Sequence, residues 1–225
     1  MRRRYIAVSY EVLTHDDKRP PILFLRSFVD DELRPFEGLS QAYTLEEIVT
    51  EQFWPFGPVI AIGRPGEPLP MPGAARQYLL NEEWRSRVSE LCGVAQMIVI
   101  IIGKSPGLRW ELQQVISQGH TSKLLLVAPR ATIEELSSRW RSIWADMQTY
   151  RLVVPQELPA NLTAAFFSSD GDLVLLSANR APETDLTGLY DVAIDIASKA
   201  ILERSGLSRN AYEKPLLSRV DASED

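Results

Sequence analysis

The sequence feature that most constrains the fold is a run of six apolar residues, 97–102, most of them β-branched. A run without polar alternation is typical of a strand buried on both faces, as in a parallel sheet covered by helices. After Gly103 and a short turn, apolar residues recur at helical spacing, with Ser105 as the predicted N-cap and Pro106 at the first helical position. Glu111 therefore lies early in a helix that begins at the carboxyl end of a buried strand, where open α/β sheets bind their ligands.

Strands and helices alternate along the first two thirds of the chain. Thr44 and Thr132 each begin a capping box, which marks the start of a helix. Because this alternation requires right-handed crossovers, we predict a three-layer sandwich in which the core strands are adjacent and parallel, with helices on both faces of the sheet. The predicted core strands are residues 22–28, 59–63, 97–102 and 123–127.

The last third of the chain is less regular and predicts a β-hairpin followed by a helix. Residues 164–168 and 173–176 flank an Asp170-Gly171 step, which is a strong hairpin signal. The apolar face of the final helix is predicted to carry Leu189, Val192, Ile196, Ala200 and Ile201. We predict a polar leader over 1–20, an α/β domain over 21–150, a hairpin and helix packed on the same domain over 151–207, and a flexible tail over 208–225.

Composition excludes several classes of protein. A length of 225 residues with 45% hydrophobic content can bury a full core, and a net charge of −6 argues against binding to a nucleic-acid backbone. The single cysteine, Cys92, excludes an internal disulfide, and the two histidines are too far apart to suggest a zinc site. No apolar run approaches the ~20 residues of a membrane span. We expect a cytoplasmic protein without membrane contact, with the alternative that the arginines at residues 2–4 are the end of a membrane-proximal segment.

Two long connections, about 29–43 and 64–80, follow predicted strands. Loops of this length inside a compact domain are usually either functional or disordered. Both are predicted to lie at the carboxyl edge of the sheet, together with Lys104, Ser105 and Glu111. This edge therefore carries the candidate site.

The first candidate segment follows the first strand and contains Arg26, Ser27 and Phe28. Arg26 either pairs with Asp30 or Asp31 as structural support, or holds a phosphate, or orients Glu111. Asp30, Asp31 and Glu32 follow it in the sequence. The three acids resemble ligands for a hard cation, but without a second cluster we predict no metal site.

The second candidate segment is the glycine- and proline-rich stretch that begins at Gly63 and includes Arg64 and Gly66. Glycine permits close approach of the backbone to a ligand, and Arg64 and Arg76 have the guanidinium geometry that suits an anion. The glycine spacing matches neither a P-loop nor a dinucleotide-binding fingerprint. The alternative is a rigid surface lid with solvated arginines.

The third candidate segment is the helix start that carries Lys104, Ser105, Trp110 and Glu111. The free amides of a helix N-terminus favour an anion. Glu111 borders the apolar stripe of the helix, so we expect partial burial and an abnormal pKa, whereas Trp110 points away from that stripe. The structural alternative is a glutamate that is favoured near the helix start by the helix dipole.

The order of these elements resembles the Toll/interleukin-1 receptor (TIR) domain over roughly residues 20–150. In that family a polar motif ends the first strand, a long loop follows the second strand, and a glutamate lies on the third helix; residues 22–31, 64–80 and 105–111 match these positions. The segments 21–31, 57–76 and 103–112 also resemble an uncharacterised bacterial TIR-like domain. The third helix is similar as well to the glycine-to-glutamate turn of lysine-decarboxylase-like nucleotide phosphoribohydrolases, which cleave N-glycosidic bonds.

The resemblance implies a flavodoxin-like, TIR-like fold that binds NAD or a related nucleotide at the carboxyl edge of the sheet and possesses NAD glycohydrolase activity at the nicotinamide–ribose bond. Glu111 would be catalytic, Arg26 and Arg64 would hold phosphates, Trp110 or Phe28 would stack on a ring, and no cofactor would be required. The alternatives are a nucleotide sensor without turnover and a signalling module that forms a homo-oligomer through residues 64–80. The nucleotide-binding residues implied in this way are Arg26, Ser27, Phe28, Gly63, Arg64, Gly66, Lys104, Ser105 and Trp110.

Overall fold

A computed structural model describes residues 10–27, 44–63, 74–78, 83–129, 131–159, 161–177 and 186–204. The strands are β1 (Ile22–Leu25), β2 (Val59–Gly63), β3 (Ala75–Tyr78), β4 (Met97–Ile101), β5 (Leu124–Val127), β6 (Leu162–Phe167) and β7 (Leu173–Ser177). The helices are α1 (Tyr10–Asp16), α2 (Leu45–Phe53), α3 (Trp84–Val94), α4 (Pro106–Ser117), α5 (Ile133–Thr149) and α6 (Leu186–Arg204).

The strands form one sheet in the order β3-β2-β1-β4-β5-β6-β7. The first five strands in this order are parallel, with Leu23 of β1 paired to Ile60 on one side and to Ile98 on the other. The predicted parallel arrangement of the four core strands is thereby confirmed. The hairpin of β6 and β7 continues the same sheet in antiparallel fashion, and its turn contains Gly171 at a positive φ of 88°.

Helices cover both faces of the sheet because side chains alternate between the faces along each strand. Leu23 and Ile98 belong to a hydrophobic cluster with residues of α3, α4 and α5. Ile22, Phe24 and Val99 belong to a second cluster with residues of α2 and α6. The helix that follows β1, α2, thus lies on one face and the helix that follows the neighbouring β4, α4, lies on the other, an arrangement that opens a crevice at the carboxyl ends of these strands.

The predicted helix starts are confirmed at the residues that matter for the crevice. The Ser105 side chain accepts a hydrogen bond from the Leu108 amide at 3.3 Å, and Pro106 is the first residue of α4. Thr44 and Glu47 form the reciprocal capping box of α2. Because α4 begins at its Ser105 cap only a few residues after the end of β4, Glu111 in the second turn of this helix is held close to the carboxyl edge of the sheet.

The structure differs from the sequence predictions in β3, α1 and α6. Residues 75–78 were predicted as part of a loop but form a parallel edge strand, whose four residues are too few for a period-two pattern to stand out. A short helix occupies residues 10–16 of the predicted polar leader. On α6, Val192 and Ile196 are 58% and 47% exposed, so their predicted place on the buried face is wrong. The buried face of α6 is formed instead by Ala193, Ile194, Ala197, Ile201 and Leu202.

No helix in the described part of the chain is long and apolar enough to cross a bilayer. The predicted tail over 208–225 and the loop over 29–43 lie outside the described residues.

At the amino edge of the sheet, the Gln96 side chain, which precedes β4, links the segments that lead into β1 and β2. Its amide nitrogen donates to the Pro20 carbonyl at 2.6 Å and to the Phe56 carbonyl at 2.9 Å. Gly57 lies against this pair of bonds, and a Cβ atom there would be 2.5 Å from both the Gln96 nitrogen and the Pro20 oxygen. Only glycine leaves room for the two hydrogen bonds.

We expect Gly57→Ala to lower the free energy of unfolding by roughly 1–3 kcal/mol, because the added methyl group overpacks a site that backbone atoms enclose. Urea denaturation measures this loss. Gly93→Ala is the matched control: a Cβ at Gly93 meets nothing within 4 Å, and α3 should gain about 0.5–1 kcal/mol from the better helix former. Equal unfolding midpoints for Gly57→Ala and the wild type would contradict the close approach of Gln96 and Pro20.

Candidate functional site

A cavity of about 290 Å³ opens between the end of β1 and the start of α4. It lies at the point where the chain order of the parallel strands reverses, between β1 and β4. Its walls come from β1, β2, α3 and α4 and the segments that follow the strands. The lining residues are Phe24, Leu25, Arg26, Ser27, Ile62, Trp84, Ser105, Gly107, Leu108 and Glu111.

Glu111 is the buried acid of this cavity, with only 6% of its surface exposed. Burial raises its pKa from 4.5 to about 8, although a hydrogen bond from the Trp84 side chain and the positive charge of Arg26 act in the opposite direction. Its Oε2 atom has no hydrogen-bond partner among the described residues. A buried polar atom without a partner is costly, so its place in a cavity wall points to a ligand or a proton at this oxygen.

The local structure of α4 explains why Glu111 faces the cavity. Leu108 and Leu112 pack into the core on either side of it, which fixes the rotation of the helix about its axis. Gly107 lies below the Trp84 ring, where a Cβ would be 3.8 Å from two ring carbons. The Trp84 ring therefore covers the first turn of α4 and reaches the Glu111 carboxyl group.

Arg26, which also lines the cavity, is held by a second buried glutamate. Its Nε atom is 3.1 Å from Oε2 of Glu46, and its Nη1 atom donates to the Ile62 carbonyl at 3.3 Å. Arg76 donates to the same Glu46 oxygen at 2.9 Å, and the Ala74 amide donates to the other at 3.1 Å. Arg76, predicted to meet an anion in a loop, is thus buried in β3 against Glu46.

The structure brings some of the predicted nucleotide-binding residues together. Ser27 and Ser105 both line the cavity beside Arg26. Gly63 is buried at the end of β2 and lies outside the lining, while its neighbour Ile62 contributes to it. Phe28, Arg64 and Gly66 lie outside the described residues.

Two predicted residues lie away from the cavity wall. Lys104 is exposed, and its ammonium group is 3.2 Å from the Glu135 carboxylate of α5. Trp110 packs against Trp84, with ring centroids 4.9 Å apart and planes tilted by 47°. The aromatic surface in the cavity therefore comes from Trp84.

Trp84 and Glu46 were not predicted as site residues because each fits a local sequence pattern that already accounts for it. Trp84 is followed at helical spacing by Val88 and Leu91, a pattern that indicates a residue of the packed face of α3. Glu46 lies inside the capping box of Thr44, and Glu47 completes that box. Because the capping box needs only Glu47, the additional glutamate at position 46 was the one indication in the sequence that Glu46 has another partner.

Among the described residues no group of three or more histidine, cysteine, aspartate or glutamate side chains is placed to hold a metal ion. The acids of residues 30–32 lie outside this part of the chain.

Comparison of the chain with protein-family models, curated proteins and solved structures finds no match. The chemistry of the cavity is therefore the basis on which a function can be inferred.

We expect Glu111 to make the free energy of unfolding fall as the pH rises from about 4.5 to about 8. The unfolded chain loses the Glu111 proton near its ordinary pKa of 4.5, whereas the folded chain keeps it up to about pH 8. The folded state binds more protons across this window, so stability decreases with pH, by roughly 3–5 kcal/mol in total. Urea denaturation of the wild type and Glu111→Gln should show a difference that grows with pH across the window, because the amide does not titrate.

Glu134→Gln removes an exposed glutamate of α5 and is the matched control for this experiment. Its unfolding free energy should run parallel to that of the wild type between pH 5 and pH 8. Parallel profiles for the wild type and Glu111→Gln would instead show that Glu111 is ionised in the folded protein throughout.

Proposed function

We propose that the cavity binds the nicotinamide–ribose part of NAD or a related nucleotide, and that Glu111 promotes hydrolysis of the bond between them. The observation that carries this proposal is the buried Glu111 carboxyl group, with an oxygen lacking a hydrogen-bond partner among the described residues, in a cavity at the carboxyl edge of a parallel sheet. Such edges are the usual place for nucleotides in open α/β folds.

The size of the cavity limits what it can enclose. A volume of about 290 Å³ is at the lower end for small-molecule pockets, which suits one ring and its sugar but not a whole dinucleotide. The remaining phosphates and the second nucleoside would extend outward past the ends of the strands. The Trp84 ring offers an apolar surface to the nicotinamide, and the Ser27 and Ser105 hydroxyls are available to the ribose.

The proposed reaction breaks the C1′–N1 bond, and the bonding electrons leave with neutral nicotinamide. Positive charge develops on the ribose in an oxocarbenium-like state, which a carboxylate in a water-poor cavity stabilises by its charge or by holding the ribose hydroxyls. A water oxygen then bonds to C1′ and loses a proton to solvent. Glu111 would be the residue that carries this stabilisation, and the nearby Arg26 charge favours its ionised form.

The raised pKa of Glu111 also supports a second candidate function, binding without turnover. With a pKa of about 8, the carboxyl group is mainly protonated at pH 7 and has an O–H donor as well as an acceptor oxygen. A carboxyl group that offers both a donor and an acceptor complements a neutral amide group rather than a developing cation. A nucleotide sensor would use the same cavity in this way.

We expect the protein, incubated with NAD at high protein concentration, to release nicotinamide at a rate that rises with pH up to about 8 and levels off above it, because the ionised form of Glu111 is the active one. Chromatographic product analysis measures the release. Glu111→Gln should abolish it while the circular dichroism spectrum stays unchanged, and Glu134→Gln should retain it.

Undiminished cleavage by Glu111→Gln would overturn the proposed chemistry. A melting temperature that rises with NAD in the absence of cleavage would favour the sensor, since a ligand that binds only the folded state stabilises it. If NAD were neither cleaved nor bound, both functions would fail for this cavity.

A further inference from the structure

Trp84 makes an unusual set of contacts for the first residue of a helix. Its side chain crosses from α3 to α4, lines the cavity and hydrogen-bonds to the Glu111 carboxyl group. Gly107 lies beneath its ring and Trp110 beside it. The Arg85 guanidinium lies 5.8 Å from the Trp84 ring centroid and 5.3 Å from that of Trp110. These contacts hold the indole ring in place against the acid.

In the hydrogen bond between Trp84 and Glu111, the indole N–H is the donor and the carboxyl group is the acceptor. The indole nitrogen is a donor only, so Trp84 can give a hydrogen bond to the Glu111 carboxyl group but can never accept its proton. Hydrogen bonds to a carboxylate are stronger than those to a neutral acid. The contact therefore favours the ionised form of Glu111, in opposition to burial.

Two other ionisable side chains interact electrostatically with Glu111, namely Arg26 and Cys92. Arg26, which directly follows β1, is paired with Glu46 on α2. Cys92 on α3 interacts with Glu111, and burial raises the pKa of its thiol to about 12, with Lys123 acting against that rise. Near pH 8, a change in the environment of Trp84 would therefore report the proton on Glu111.

We propose that Trp84 is the positioning residue of Glu111: its ring, packed against Gly107 and Trp110 in the cavity wall, directs the indole N–H at the Glu111 carboxyl group and so orients that group. The catalytic meaning of this pair rests on the proposed function. The coupling between the two side chains does not, and it can be measured without any substrate.

The first experiment follows the indole N–H resonances of the five tryptophans in ¹⁵N-labelled protein as the pH is raised. The resonance that disappears in Trp84→Phe belongs to Trp84, and it should shift through a single transition near pH 8. In Glu111→Gln this transition should be lost. A Trp84 resonance that does not move with pH, or that moves equally in Glu111→Gln, would overturn the coupling.

Trp110→Phe is the matched control, because Trp110 contacts the Trp84 ring but does not line the cavity. The Trp84 transition should persist in this variant. Its loss there would mean that ring packing, and not the hydrogen bond to Glu111, produces the signal, and it would count against the proposal.

The second experiment compares the pH profile of NAD cleavage in the wild type and Trp84→Phe. Loss of the donor should raise the midpoint by about one pH unit, which lowers the rate at pH 7 about tenfold and leaves the rate above the midpoint nearly unchanged. A purely structural role would lower the rate by the same factor at every pH and would overturn the positioning role. If NAD is not cleaved at all, the resonance experiment still decides the coupling, so failure of the two proposals can be told apart.

Discussion

The buried carboxylate of Glu46 is the interaction on which the carboxyl edge of the sheet depends. It lies within 3.1 Å of Arg26 after β1 and within 2.9 Å of Arg76 in β3, and it also accepts the Ala74 amide. Removal of one partner from such a buried pair leaves an uncompensated charge and is strongly destabilising. Glu46 thus joins α2 to two strands, and it holds the Arg26 side chain in the cavity wall.

Two buried glutamates, Glu46 and Glu111, therefore both interact with Arg26 but differ in their electrostatic surroundings. Glu46 is surrounded by guanidinium groups and a backbone amide, which satisfy its charge. Glu111 has an indole donor and a more distant Arg26, too little to offset its burial, and its pKa rises to about 8. One acid is thus paired with opposite charges, whereas the other lines the cavity with a raised pKa.

The elements that the sequence predicted well are those whose signal lies within a few residues. The uninterrupted apolar residues of β4 and the side chains of Ser105 and Thr44 define a strand and two helix starts by local physics alone. Glu111 was recognised because it borders an apolar stripe on a helix that follows a strand. The strand β3 and the partners of Arg26 were not predictable in the same way, since both depend on Glu46, which is 28 residues from Ala74 and 30 from Arg76.

Trp84 shows why a site is harder to predict than a fold. Its apolar ring satisfies the helical pattern of α3, and nothing in that pattern tells which partner its N–H meets. The partner is fixed only when α3 and α4 pack on the same face and Gly107 lets the ring approach. A carboxyl group that is buried with one unpaired oxygen is less stable there than an apolar side chain of similar size, and local rules of this kind are broken chiefly at functional sites. The cost of keeping Glu111 beside Trp84 is therefore itself an argument that the cavity binds a ligand.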